Sequence, residues 1–173
     1  MDRILLTGRI EFEPENITKK HNQQASWKHM ALVLLDGDIT EYYSWFIKKR
    51  YNLTLNRPIR GAHISFINDS YKDMSLKGKR SINDVKQVWN TVKKKWDGVE
   101  VPIMLNTEPR TDDKYWWLGV SHQHRDRLHG IRSELGLGKP FWGLHMTIGY
   151  ANEKWLSHSK YIHKCIKSGL ISN

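Results

Sequence analysis

Two short segments constrain this chain more than any other feature. Ala62-His63-Ile64-Ser65-Phe66 and Leu144-His145-Met146-Thr147-Ile148 share one form: apolar, histidine, apolar, hydroxyl, apolar. Strict alternation marks a strand buried on one face, because residues two apart on a strand point the same way. Each segment therefore sends its apolar side chains into a core and holds an imidazole beside a hydroxyl on its other face. The chain has to build two such strands and cover one face of each.

The surrounding sequence supplies the elements to do so. Strand-length runs at 4–12 and 27–35 flank a polar stretch at 13–24, and the turn Asp36-Gly37-Asp38 leads into helical spacing over 39–51. Pro58 closes that region, and residues 59–68 read as the strand that carries His63. A basic loop at 71–80 precedes a helix capped by Ser81 or Asn83 and running to Trp96, where Asp97-Gly98 stops it. Residues 99–107 and 115–121 read as a strand pair joined by the turn-rich 108–113. A helix over 123–137, the strand 141–150 bearing His145 and a last helix over 152–168 complete the order. The expectation is an α+β chain made of two successive strand, helix, strand units. Each unit closes on a histidine strand, and residues 1–173 form one domain with no long linker.

Charge and composition bear on the partner. A formal net charge of +10 concentrates polyanions near the surface, and the eight tryptophans argue for a packed core over disorder. The single cysteine, Cys165, has no partner for an internal disulfide. No apolar run reaches the roughly 20 residues that span a bilayer, and the N-terminus lacks a basic region followed by an apolar signal core. The expectation is a cytoplasmic protein with no membrane association and no obligate protein partner.

One histidine beside one hydroxyl on a strand is ordinary, but two matched copies suit phosphoester chemistry. A neutral imidazole takes a proton from a nucleophile while a protonated one gives a proton to the leaving oxygen. The hydroxyls of Ser65 and Thr147 donate to the non-bridging phosphate oxygens, so neither step calls for a metal or other cofactor.

With these two motifs the chain resembles the 2H phosphoesterase superfamily, defined by paired His-x-Ser/Thr motifs. The run Trp116-Trp117-Leu118-Gly119-Val120, the helix after it and the run from Phe141 to Tyr150 follow that family's order. The resemblance implies a bilobal fold, with two antiparallel-sheet lobes, outer helices and a central cleft. It implies that His63, Ser65, His145 and Thr147 are catalytic. Ser65 stands where threonine is commoner and lacks the methyl that stiffens the rotamer. The short basic chain is most similar to the phage anti-CBASS members, which cleave 3′-5′ bonds of cyclic oligonucleotide messengers. That resemblance implies a cyclic di- or trinucleotide substrate, met in the host cytoplasm. The alternatives are a 2H enzyme acting on RNA ends or 2′-5′ linkages, and a non-catalytic RNA-binding module.

Other features carry less. Trp27, Trp116, Trp142 and Tyr150 are candidates to stack on a base. By strand parity, however, Trp142 and Tyr150 fall on the face opposite His145 unless the strand ends bend. His122, His124, His129 and Asp126 match no strong metal-ligand spacing and read as a solvated helix face. The run Lys93-Lys94-Lys95 reads as an exposed helix end.

Overall fold

The computed structural model describes residues 2–14, 30–58, 60–68, 82–112, 114–140 and 143–151, with the backbone alone for 82–87. Expectations for the polar stretch after residue 14, for the 71–80 loop and for the 152–168 helix lie outside the described residues.

The chain is α+β, with two antiparallel sheets and three helices among the described residues. Strands β1 (Arg3–Phe12), β2 (Ala31–Leu34), β3 (His63–Ile67) and β4 (Glu100–Asn106) form one sheet in the order β3-β2-β1-β4. Strands β5 (Arg110–Thr111), β6 (Tyr115–Gly119) and β7 (His145–Tyr150) form the other, in that order. The helices are α1 (Asp38–Tyr51), α2 (Ile82–Trp96) and α3 (His122–Glu134). None of the described helices is long and apolar enough to cross a membrane.

Local chemistry explains the boundaries. Asp36 Oδ1 accepts from the Asp38 N–H at 3.1 Å where α1 begins. Acidic Asp38 and Glu41 then sit in the first turn and Lys48, Lys49 and Arg50 in the last, as the helix dipole favours. Helix α2 stops at Trp96 and the chain turns at Gly98, whose φ of 78° suits glycine, while Asp97 Oδ1 accepts from the Phe12 N–H at 2.8 Å and ties the helix end to β1.

One expectation is overturned. Residues 99–107 do not form a hairpin with 115–121. Strand β4 pairs instead with β1, from Arg3 opposite Asn106 to Arg9 opposite Glu100. The long β1 offers a full edge, and this register buries Val101, Ile103 and Leu105 in the core. The intervening turn supplies its own strand, β5, as the hairpin partner of β6. The two expected strand, helix, strand units are therefore interleaved, since the second half of the chain gives a strand to the first sheet. The sheets meet at both margins. A Leu105–Val120 bridge joins β4 to the end of β6, and β3 lies beside β7.

One cluster serves both sheets and the helices. Ile64 and Phe66 of β3, Met146 and Ile148 of β7, Ile47 of α1 and Ile131 of α3 all lie in it. Each such side chain contributes roughly 1.5–3 kcal/mol on burial. The fully buried Arg132 of α3 donates to the Phe66 carbonyl at 2.6 Å and the Gly138 carbonyl at 2.7 Å, which pins β3 to α3 next to Ser65.

At the other margin, residues 55–56 press on β7. Asn56 and Tyr150 exchange backbone hydrogen bonds of 2.8 and 3.0 Å. A Cβ at position 149 would lie 2.6 Å from the Asn56 oxygen and 2.9 Å from the Leu55 Cβ, so only glycine fits. Gly149→Val is expected to cost about 1–3 kcal/mol, the range for overpacking. Urea unfolding checks this, and a variant with unchanged stability would show that the segment yields freely.

Candidate active site

Each motif strand turns its polar residues away from the shared core. Ile64, Phe66, Met146 and Ile148 are all completely buried in the shared core. The alternating His63, Ser65, His145 and Thr147 are half-buried on the faces turned away from that core. Strands β3 and β7 are neighbours, so the two imidazoles and two hydroxyls stand on adjoining strands.

The imidazoles are held by matched devices. His63 Nδ1 lies 2.9 Å from the Gly61 carbonyl oxygen, and His145 Nδ1 lies 2.6 Å from the Gly143 carbonyl oxygen. A carbonyl only accepts, so each Nδ1 carries the proton and donates it. In the neutral ring Nε2 then carries the basic lone pair, and in the charged ring it carries an acidic proton. In both cases the orienting carbonyl belongs to the glycine two residues before the histidine. Gly61 has a φ of 79°, so a side chain there would strain the turn that aims His63. A Cβ on Gly143 would meet nothing within 4 Å, so that residue serves through its carbonyl.

A β-bulge changes the parity of β7. Thr147 pairs with Trp117 and Gly149 with Trp116, which leaves one extra residue on β7 between them. Ile148 and Gly149 are both buried in succession, and Tyr150 then turns outward at 37% exposure. Tyr150 is paired with Tyr115, which lies on the same strand face as Trp117 and hence as Thr147. The bend that parity required is this bulge. The Tyr150 ring lies 6.2 Å from that of Tyr115, and the Trp117 ring lies 5.9 Å from the His145 imidazole.

Trp116 is corrected as a stacking candidate. It lies on the opposite face, 6% exposed, with its ring 5.2 Å from that of Tyr51. Parity in the pair Trp116-Trp117 allows one ring outward, and that ring is Trp117. Trp27 and Trp142 lie outside the described residues.

Register also reveals two cations that the sequence did not mark. His63 pairs with Leu34 and Leu34 with Arg9, so Arg9 stands two strands from His63 on its face. Thr147 pairs with Trp117 and Trp117 with Arg110, so Arg110 stands two strands from Thr147 on its face. Each separation is about 10 Å at the usual strand spacing. Both arginines are exposed.

The remaining candidates lie elsewhere. His124 Nδ1 is 3.2 Å from the Ser121 hydroxyl oxygen, and burial followed by the charges of Lys139 and Arg132 holds His129 below the usual histidine value. Among the described residues no three His, Cys, Asp or Glu side chains gather as a metal-binding group. Lys93 pairs with Glu13 and Lys95 with Glu134, so these two lysines join elements of the fold.

No protein-family model, no curated protein and no solved structure matches this chain.

Proposed function

We propose that this chain is a metal-independent phosphodiesterase of the 2H type, with a bilobal fold whose cleft runs along β3 and β7. One observation carries the reading: His63 and His145, on neighbouring strands, each have Nδ1 donating to the carbonyl of the glycine two residues before, which makes Nε2 the basic nitrogen of the neutral ring. A pair prepared in this way performs general base and general acid catalysis once one ring is neutral and the other charged. Ser65 and Thr147 then donate to the phosphate oxygens that hold charge during displacement.

The flanking residues favour a substrate with several phosphates and several bases. Arg9 and Arg110 stand on either side of the histidines, and Tyr115, Trp117 and Tyr150 offer rings for stacking. A cyclic di- or trinucleotide has both features in a compact form. The narrower reading is a phage protein that removes the cyclic messengers of CBASS immunity by cutting their 3′-5′ bonds. An enzyme acting on RNA ends or 2′-5′ linkages would use the same four residues.

The test is incubation, with and without EDTA, against cyclic dinucleotides, cyclic trinucleotides, 2′-5′ oligoadenylate and RNA ending in a 2′,3′-cyclic phosphate. Products are identified by mass. Linear products from the cyclic substrates, formed equally in EDTA, are expected. Turnover of the 2′-5′ or RNA substrates alone would move the assignment to that branch, and binding without turnover of any would leave an RNA-binding module.

Charge reversal tests the flanking cations. Arg9→Glu and Arg110→Glu are each expected to raise KM about tenfold or more, the scale of a charge-assisted contact to phosphate, with kcat little changed. A loss confined to kcat would place these arginines in the chemical step.

A further inference from the structure

Helix α1 carries rings that its packing does not use. Ile39, Tyr43 and Ile47 face the core, yet Tyr42 and Trp45 stand on the other side at 56% and 55% exposure. Their ring centroids are 6.3 Å apart. Two large exposed rings on one helix mark an interaction surface more often than a structural need. Beside Trp45 opens a pocket of about 310 Å³ between α1 and residues 54–57, within the size range of small-ligand sites. Its lining combines Trp45 with the cations Lys48 and Arg57, the carboxylate of Glu41 and the hydroxyls of Ser44 and Thr54.

We infer that this pocket is a second nucleotide site, which takes a nucleotide with a terminal phosphate and is separate from the histidine face. The exposed indole offers a base a stacking platform that makes little demand on base identity. Lys48 and Arg57 supply the positive charge for a phosphate. Arg57 forms an ion pair with Glu41 at 3.0 Å, with both side chains largely exposed, so that pairing is weak and open to exchange with a phosphate. The released Glu41 carboxylate accepts hydrogen bonds from ribose hydroxyls. The pocket adjoins β7 through Leu55 but shares none of the residues on its catalytic face. The assignment therefore does not rest on the proposed phosphodiesterase activity.

The experiment titrates adenosine 5′-monophosphate, adenosine and inorganic phosphate into the full chain by calorimetry. Four single variants accompany it: Trp45→Ala, Lys48→Glu, Trp117→Ala and Arg110→Glu. The expected result is saturable binding of the monophosphate, weaker binding of adenosine and of phosphate, and at least a tenfold loss in Trp45→Ala and Lys48→Glu. The variants at Trp117 and Arg110 should keep this Trp45-dependent binding, and any nucleotide bound on the histidine face should be lost from them instead. Because Trp45 and Lys48 are exposed, their variants should fold normally, which circular dichroism checks. The absence of any binding component that is lost in both α1 variants and kept in the Trp117 and Arg110 variants would overturn the inference. So would Trp45-dependent sedimentation with anionic phospholipid vesicles in the absence of nucleotide binding, which would make the surface a membrane contact.

Discussion

Alanine at either His63 or His145 is expected to lower turnover by at least about 100-fold, the usual scale for loss of a positioned acid or base. The fold should survive, because both side chains are half-buried and the hydrogen bond that each makes to a glycine carbonyl is worth only about 0.5–1.5 kcal/mol. Activity and stability therefore separate cleanly in these variants. Ser65→Ala and Thr147→Ala should cost less, since each removes one hydroxyl donor and leaves both imidazoles in place. The pH–rate profile of the parent should be bell-shaped, because activity requires one neutral and one protonated ring. Each alanine variant should lose one limb. Loss of the acid limb identifies the histidine that acts as base, and loss of the alkaline limb identifies the acid. A folded His145→Ala variant with near-normal turnover would remove the central proposal.

What was legible in the sequence was local. Alternation around His63 and His145 placed two strands and their outward residues, because period and burial are written in consecutive positions. Helix spacing placed α1, α2 and α3 within a few residues of their observed ends. What escaped depends on pairing between distant segments. The partner of β4 is decided by the edge that β1 offers and by the core that Val101, Ile103 and Leu105 fill, neither of which is visible in residues 99–121 alone. Arg9 and Arg110 join the histidine face through register across three strands, and an isolated arginine gives no sign of that. The turn of Tyr150 toward Thr147 needs a bulge that periodicity treats as a break in pattern. Trp117 was the most recoverable omission, since two adjacent tryptophans on a strand cannot share a face.

Replacing the ribose that supplies the 2′-hydroxyl with 2′-deoxyribose is expected to abolish scission of a 3′-5′ linked cyclic oligonucleotide while leaving its binding largely intact. Two imidazoles can move protons, but they bring no nucleophile of their own. The adjacent 2′-oxygen lies within the substrate, so its attack on phosphorus is intramolecular, and well-oriented reactions of that kind reach effective concentrations of about 10⁵–10⁸ M. One Nε2 takes the 2′-hydroxyl proton as the new O2′–P bond forms. The P–O5′ bond breaks, and the departing 5′-oxygen takes a proton from the other Nε2. The product is a linear molecule ending in a 2′,3′-cyclic phosphate, which the same pair can open with water after exchanging roles. Mass analysis at short times should detect that cyclic phosphate before any monoester. The deoxy analogue lacks only a hydroxyl, so it should still occupy the site and compete with substrate at similar concentration. Efficient cleavage of the deoxy analogue would require direct attack by water, and this route through the 2′-hydroxyl would be abandoned while His63 and His145 kept their roles as acid and base.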